Sequence, residues 1–372
     1  MIVEKQIFAL DRVELVGGAT LKQVRVGYET YGSLSPTKEN AVLICHHFSG
    51  TSHAAGRYSA ADAVPGYWDA VIGPGKPFDT DRYFIICSET LCNLNVKNPN
   101  VVTTGPASVN PDTGRPYGMS FPIVTIQDFI NVQRALIRSF GIERLYAVAG
   151  PSMGGFQALE WAIAYPEMIS RTIVVISAGA LHPWVILMPG RVAEMAIRLD
   201  PRWQGGAYAE EAEPLDGLAL AFTVLTSIAR SQPWADRTVG RAFADPGRSP
   251  LEALENRFLV ETEIEKAARE RAEQADANSF IYLTRANALY RAGIGFGSDE
   301  EALARIQAKV LLIPCSSDLF LPPYQSQKLL RALRRAGVRA STFELESDGG
   351  HLAGVLEIDK AGEVLRQFLE SA

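Results

Sequence analysis

The stretch that decides the fold is YAVAGPSMGG at residues 146–155, where an apolar run meets a Gly-x-Ser-x-Gly turn. The next residues, FQALEWA at 156–162, have no β-branched residue in their first turns and predict a helix. Gly150 and Gly154 carry no Cβ atom that would clash where the chain reverses, so the turn can hold a serine hydroxyl away from the backbone. The sequence therefore predicts that Ser152 is a covalent nucleophile. A Gly/Ser-rich loop that only turns the chain is the alternative.

The composition is that of an ordinary globular protein, with 372 residues, 47% hydrophobic and 21% charged. The net charge of −6, without a dense Lys/Arg block, gives no indication of a nucleic-acid partner. No apolar stretch is long enough to span a membrane, and residues 1–6 lack the basic-then-apolar order of a signal peptide. The four cysteines show no paired metal spacing. We therefore expect a cytoplasmic protein with no membrane partner and no metal cofactor.

Short, almost continuously apolar runs recur along the chain between helical segments. Such strands are buried on both faces, which is typical of a mostly parallel sheet covered by helices on both faces. The predicted strands are residues 41–45, 83–87, 145–149, 172–176, 310–313 and 340–345, with a final helix near 360–370.

The interval from about residue 182 to 298 differs, because it is long, poor in strand signals and rich in helix formers. A segment of this length between two strands of one sheet must have structure of its own. We predict a core domain of residues 1–181 and 299–372 and an inserted helical lid of residues 182–298.

A serine hydroxyl needs an oriented base to become a nucleophile, and the sequence offers one in the right place. His351 follows the last predicted strand, and Asp318 comes just after the strand at 310–313. The order Ser152, Asp318, His351 predicts a catalytic triad. A surface-loop histidine and a turn or helix-cap aspartate are the alternatives. Asp348 and Glu346 are weaker acid candidates because they lie too near His351 in the chain.

Two backbone N–H groups are expected to form the oxyanion hole. Met153 follows the nucleophile at the start of a helix, and Phe48 lies in the loop after the strand at 41–45. His46 and His47 in that loop are expected to pack at the sheet edge rather than to catalyse. His53 lies near them in the sequence, but no Asp/Glu-rich pattern joins the three histidines into a metal site.

Further strings spread over nearly the whole chain accompany the elbow, among them TGPAS at 104–108, FPIVTI at 121–126 and DANSFIYLTRA at 276–286. Together these residues resemble the homoserine O-acetyltransferase family. The resemblance implies an α/β-hydrolase fold with a mostly parallel central sheet, helices on both faces and an inserted helical lid. It also implies Ser152, Asp318 and His351 as the triad, ping-pong transfer from an acyl-CoA co-substrate, and a homodimer formed through the lid helices.

Three polar contacts that the family uses for homoserine do not carry over to this sequence. The lid arginine for the carboxylate is Phe222, a tyrosine seven residues further on is Ala229, and the aspartate after the histidine is Leu352. An unpaired zwitterion in such a pocket would lose hydration without compensation. Arg230 would replace only one of the three contacts. The predicted substrate pocket is formed by Ser49, Phe222, Ala229 and Leu352.

From these losses we expect a serine carboxylester hydrolase on small, fairly apolar esters, with water deacylating Ser152 and some acyl transfer to apolar alcohols. The alternative is an O-acetyltransferase that uses acetyl-CoA and homoserine or a related alcohol. A non-catalytic receptor or scaffold with a hydrolase fold is a third hypothesis, and the complete triad argues against it.

Overall fold

The central feature of the molecule is an eight-stranded sheet. The computed structural model describes residues 1–371, apart from the side chain of residue 210. The strands are β1 (Gln6–Glu14), β2 (Thr20–Tyr31), β3 (Ala41–Cys45), β4 (Phe84–Ser88), β5 (Ala147–Pro151), β6 (Arg171–Val175), β7 (Lys309–Ile313) and β8 (Ala340–Thr342). Their order across the sheet is β1-β2-β4-β3-β5-β6-β7-β8. The β1–β2 and β2–β4 pairs are antiparallel, and all other pairs are parallel.

The inner strands are buried on both faces. All five residues of β3, β4 and β5 are buried. Alternate residues join opposite hydrophobic clusters: Leu43 and Val148 belong to one, Val42 and Ala147 to the other. The continuous apolar runs in the sequence therefore have the cause that was predicted, a parallel sheet covered on both faces.

Helices cover the two faces of this sheet. The longer ones are α1 (Ile126–Ser139), α2 (Met153–Ala164), α3 (Val192–Leu199), α4 (Leu215–Ala229), α5 (Gln232–Thr238), α6 (Leu259–Ala272), α7 (Ala277–Leu289), α8 (Pro323–Arg335) and α9 (Gly362–Glu370). α1, α2 and α8 contribute to the cluster of Leu43, whereas α9 contributes to the cluster of Val42. This arrangement confirms the predicted α/β fold with helices on both faces.

The helices α3 to α7 all fall in the interval 182–298, where the described residues form no strand. Their apolar side chains, such as Phe222 and Phe280, join a third cluster that also contains Met153 and Phe156 of α2. These helices therefore pack over the beginning of α2. The division into a core of residues 1–181 and 299–372 and a lid of residues 182–298 stays a prediction.

The first two strands were not predicted from the sequence. β1 is mostly exposed, and in β2 buried residues alternate with exposed or half-buried ones. An antiparallel edge pair of this kind lacks the continuous apolar run on which the prediction relied. Two-residue strands also pair Ile72–Gly73 with Phe78–Asp79 and Val109–Asn110 with Arg115–Pro116. Among the described residues, no helix is long and apolar enough to cross a membrane.

Candidate active site

The turn between β5 and α2 holds Ser152 in an unusual backbone conformation, with φ 56° and ψ −118°. A non-glycine residue at such a φ is strained and persists only where its surroundings enforce it. The Ser152 amide donates to the Val175 carbonyl at 2.9 Å, and the Ser177 hydroxyl donates to the Ser152 carbonyl at 2.9 Å. These bonds to β6 and to the segment after it fix the turn from the side of the sheet.

Glycine is required at this turn because α2 begins against the end of β3. A Cβ atom on Gly150 would lie 2.5 Å from the Cys45 carbonyl oxygen, and one on Gly154 would lie 2.0 Å from the same oxygen. A Cβ on Gly155 would lie 2.5 Å from the Ser177 Cβ. No side chain fits at these distances, so the glycines allow the close approach on which the strained serine depends.

The structure brings Ser152, Asp318 and His351 together from three separate parts of the chain. His351 Nε2 lies 2.8 Å from Ser152 Oγ, and His351 Nδ1 lies 2.7 Å from Asp318 Oδ2. Asp318 follows β7, and His351 lies in a short 3-10 turn at Gly350–Leu352. This is the spatial relation that a nucleophile, a base and an orienting carboxylate require. The roles of the three residues stay a proposal.

Backbone amides and an aromatic ring hold the acid and the base in place. Asp318 Oδ1 accepts hydrogen bonds from the Phe320 amide at 2.8 Å and the Leu321 amide at 2.9 Å. The Phe320 ring stacks on the His351 imidazole, with centroids 4.8 Å apart and planes 25° apart. Since Oδ1 is occupied by these two donors, Oδ2 is left to accept from the Nδ1–H of His351. Nε2 then faces Ser152 as the proton acceptor.

The two residues predicted to form the oxyanion hole, Met153 and Phe48, are both associated with the turn and cavity of Ser152. Met153 is the first residue of α2, so its N–H has no carbonyl one turn earlier within the helix. Phe48 lies in the loop after β3 and lines the same cavity as Ser152. Within residues 1–371, the backbone amide of Phe48 donates to no other backbone carbonyl. Both amides are thus available to an oxyanion, and their role stays a proposal.

Burial lowers the pKa of the two neighbouring histidines, His46 and His47. His46 is buried, its Nδ1 lies 2.7 Å from the His47 carbonyl, and its Nε2 accepts from the Thr90 amide at 3.1 Å. Burial lowers the pKa of His47 to about 3, so this ring is uncharged at neutral pH. His53 bonds instead to the buried Glu29, at 3.0 Å. Within the described part of the chain, no group of three His, Cys, Asp or Glu side chains could hold a metal ion.

A cavity under α4, α6 and α7 opens onto Ser152 and His351. Three of the four predicted substrate-pocket residues line it: Ser49, Ala229 and Leu352. Phe222 does not. It is fully buried behind Phe280, the two rings meeting edge to face at 5.2 Å, and Phe280 in turn contacts the Phe48 ring at 5.3 Å.

The residue that sequence reasoning missed is Arg271, which lines the cavity from the end of α6. It lies in the stretch EKAARERAEQ, residues 265–274, where a charged residue is typical of a solvent-facing helix. Nothing in that pattern distinguishes Arg271 from Arg269. Arg230, the residue considered above as a substitute guanidinium, does not line the cavity. Its guanidinium lies over the Trp234 ring at 4.5 Å.

Comparison with known proteins gives consistent results over the length of the chain. A model of the alpha/beta hydrolase fold matches residues 41–357. Homoserine O-acetyltransferase of Deferribacter desulfuricans is 39% identical over 369 residues, which cover 99% of this chain and 96% of that protein. The crystal structure of homoserine O-acetyltransferase from Bacillus anthracis is 42% identical with a TM-score of 0.95, and the match covers 100% and 98% of the two chains. The crystal structure of an esterase is 44% identical with a TM-score of 0.94, covering 99% and 100%.

These comparisons correct the predicted activity. The expectation of a carboxylester hydrolase is wrong, because curated relatives at 37–41% identity are named homoserine O-acetyltransferase. The expectation rested on three apolar replacements in the acceptor pocket. One of them, Phe222, lies outside the cavity lining, and the expectation did not include the cation of Arg271, which lines the cavity. The chain belongs to the homoserine O-acetyltransferase family of α/β-hydrolase-fold enzymes.

Proposed function

We propose that this enzyme transfers an acetyl group from acetyl-CoA to the hydroxyl group of homoserine or a related alcohol, through an acetyl-Ser152 intermediate. The observation that carries the proposal is the contact of 2.8 Å between Ser152 Oγ and His351 Nε2. On the other side of the imidazole, Asp318 Oδ2 lies 2.7 Å from His351 Nδ1. The names of the curated relatives support acetyl-CoA as donor and homoserine as the first acceptor to test.

In the first half-reaction, Ser152 Oγ attacks the thioester carbonyl carbon while its proton passes to His351 Nε2. The N–H groups of Phe48 and Met153 stabilise the negative oxygen of the tetrahedral intermediate. The C–S bond then breaks, and the proton on His351 passes to the departing coenzyme A sulfur. The carboxylate of Asp318 stabilises the imidazolium while it carries the charge.

In the second half-reaction, the acceptor hydroxyl attacks the acetyl carbonyl carbon and gives its proton to His351 Nε2. The same two amides stabilise the second oxyanion. The bond between Ser152 Oγ and the acetyl carbon breaks, and the proton returns to Oγ. The serine is regenerated, and the acceptor leaves as its acetyl ester. Each half-reaction uses the same base and the same amides, so one site serves both substrates in turn.

The test is the reaction of the purified enzyme with acetyl-CoA and homoserine. We expect saturable release of free coenzyme A thiol that depends on homoserine, and a mass increase of one acetyl group on the peptide that contains Ser152. Thiol release without acetylation of Ser152, or no stimulation by any hydroxyl acceptor, would contradict the proposal. The Ser152→Ala variant serves as the control for thiol release that does not use the site.

We further propose a cytoplasmic homodimer formed through the lid helices. The family resemblance suggests the dimer, and large apolar side chains that are exposed on the lid support it. These are Trp184, Leu187, Met195, Leu199 and Leu220. Exposed apolar groups of this size, when contiguous, mark interaction surfaces. Sedimentation analysis of the native chain and of Leu199→Glu, Leu220→Glu tests this proposal, since charges on such an interface shift the equilibrium toward monomer.

A further inference from the structure

One cation stands out in the cavity beside Ser152. Arg271 lines this cavity together with Ser152 and His351, and no Asp or Glu side chain is among the described residues that line it. The charged group that acts most on Arg271 is Arg230, which has the same sign. Burial and this repulsion lower the pKa of Arg271, and no described carboxylate offsets them.

The position of Arg271 on α6 explains why it differs from its neighbour. Arg269 lies two residues earlier, about 200° around the helix. There its guanidinium meets Asp216 Oδ1 at 2.5 Å and Glu273 Oε1 at 3.8 Å on the outer surface. Arg271 projects from the opposite side of the helix into the cavity. The two arginines therefore share a helix but not an environment, which makes Arg269 a matched control.

A half-buried guanidinium without a counter-ion is costly in an otherwise neutral, apolar cavity. His47 lines the same cavity, and its pKa of about 3 leaves this ring uncharged. The remaining lining is mainly apolar, for example Phe156, Phe280 and Leu352. An anionic ligand would compensate for the lost hydration, and the planar fork of an arginine matches a carboxylate in two parallel hydrogen bonds.

On the basis of the proposed acetyl transfer, we propose that Arg271 binds the carboxylate of the acceptor, and that the site selects hydroxycarboxylates without recognising an amino group. Arg271 supplies the cation that position 222 lacks, since Phe222 has no charge and packs behind Phe280. The second half of the proposal follows from the absence of Asp and Glu from the described cavity lining, since nothing there offers a counter-charge to an ammonium group.

The phosphates of coenzyme A are a second source of negative charge. We assign Arg271 to the acceptor because it lines the inside of the cavity together with Ser152 and His351. The pantetheine arm separates the thioester from the phosphates. When the thioester carbon reaches Ser152, the phosphates therefore lie towards the mouth of the site or beyond it.

Four acceptors that share the same three-carbon hydroxypropyl unit allow the effects of the two charges of homoserine to be measured separately. Homoserine carries both charges, γ-hydroxybutyrate only the carboxylate, aminopropanol only the ammonium, and propanol neither. We expect kcat/KM for γ-hydroxybutyrate to equal or exceed that for homoserine, and to exceed that for propanol about 10- to 100-fold. Aminopropanol should be no better than propanol. A strong preference for homoserine over γ-hydroxybutyrate would overturn the proposal, because it requires a partner for the ammonium.

The variant Arg271→Gln should lower the ratio of kcat/KM for γ-hydroxybutyrate to that for propanol by about 10- to 100-fold, and Arg271→Lys should restore part of it. The control Arg269→Gln should leave this ratio unchanged. An equal loss for both acceptors would make Arg271 merely structural. A rise in the acetyl-CoA concentration needed for half-maximal acetylation of Ser152, without a change in the ratio, would assign the arginine to the coenzyme phosphates. Either result overturns the proposal.

A binding measurement separates this inference from the proposed function. Titration calorimetry of γ-hydroxybutyrate into the native chain should show binding that Arg271→Gln weakens about 10- to 100-fold and Arg269→Gln does not. If acetyl-CoA never acetylates Ser152, the proposed function fails while this binding result still tests Arg271. If Ser152 is acetylated but binding is the same in both arginine variants, the inference fails alone.

Discussion

The two sides of the cavity are built in different ways. On the sheet side, Asp318 accepts two backbone amides and faces His351, which faces Ser152, so the reacting groups are held by hydrogen bonds at both ends. On the lid side, apolar side chains such as Phe280 surround Arg271, which no described carboxylate meets. We therefore expect acylation to depend on the backbone geometry of the sheet side, whereas the choice of acceptor should depend on a few side chains of the lid side.

The largest effect should follow from removal of the nucleophile. Ser152→Ala eliminates the atom that takes the acetyl group, so we expect acetyl transfer to fall by at least about 10⁴-fold. The measurement is thiol release together with the mass of the Ser152 peptide. The change removes only the Oγ atom and keeps the backbone hydrogen bonds of residue 152 to Val175 and Ser177, so the circular dichroism spectrum should not change. Substantial transfer by the variant would show that the sheet side is not the site of chemistry.

Asp318→Asn should reduce kcat by about 10³- to 10⁴-fold. The amides of Phe320 and Leu321 donate to Oδ1, so the side-chain oxygen of an asparagine must stay there and its NH₂ group must face His351. The imidazole is then held with Nδ1 unprotonated, and Nε2 can no longer accept the proton of Ser152. The control is Asp348→Asn, because Asp348 pairs with Arg237 on the surface at 2.7 Å. A loss below tenfold would contradict the role of Asp318.

Gly154→Ala should disturb the packing of α2 against β3 by a steric clash alone. The new Cβ would lie 2.0 Å from the Cys45 carbonyl oxygen, so α2 must move away from β3. We expect a loss of roughly 3 kcal/mol in the free energy of unfolding, measured by denaturant titration, with reduced acetylation of Ser152. Gly17→Ala is the matched control, since no atom lies within 4 Å of its Cβ position. Equal stability of the two variants would contradict the close approach.

A pair of lid-side variants distinguishes residues that line the cavity from residues behind it. Ala229 lines the cavity, so the added methyl groups of Ala229→Val should raise the acceptor KM about tenfold. Phe222 lies behind Phe280, so Phe222→Leu should cost about 1 kcal/mol of stability and leave this KM within about threefold. Steady-state kinetics with homoserine and with propanol measures both. A larger increase in the acceptor KM for Phe222→Leu than for Ala229→Val would contradict the position of Phe222 outside the pocket.

This difference between the two sides also explains what the sequence could predict. Ser152 and Asp318 follow strands whose continuous apolar runs are visible in the sequence, His351 follows the short strand β8, and Gly150 and Gly154 mark the turn. The antiparallel strands β1 and β2 were not predicted because their apolar residues are interspersed with exposed ones. The position of Phe222 behind Phe280 and the orientation of Arg271 depend on how the lid helices pack, and a helical pattern alone does not fix that packing.

The smallest expected effect concerns a buried carboxyl group on the sheet side, that of Glu160 on α2. Its Oε2 atom has no hydrogen-bond partner among the described residues, and burial raises the pKa of this carboxyl from 4.5 to about 8. The folded chain keeps the proton up to about pH 8, whereas the unfolded chain releases it near pH 4.5. The contribution of Glu160 to stability is therefore fully present below the unfolded pKa and is lost as the pH rises through the folded pKa.

Glu160→Gln imitates the protonated carboxyl and removes this titration. Relative to the native chain, the variant should gain roughly 1 kcal/mol or more in the free energy of unfolding between about pH 5 and pH 8. Denaturant titrations at the two pH values measure the gain, and the exposed Glu167→Gln is the control. Because Glu160 does not line the cavity, its titration should affect stability and leave the acceptor preference unchanged. A change in that preference would mean that the two sides of the cavity are coupled through α2.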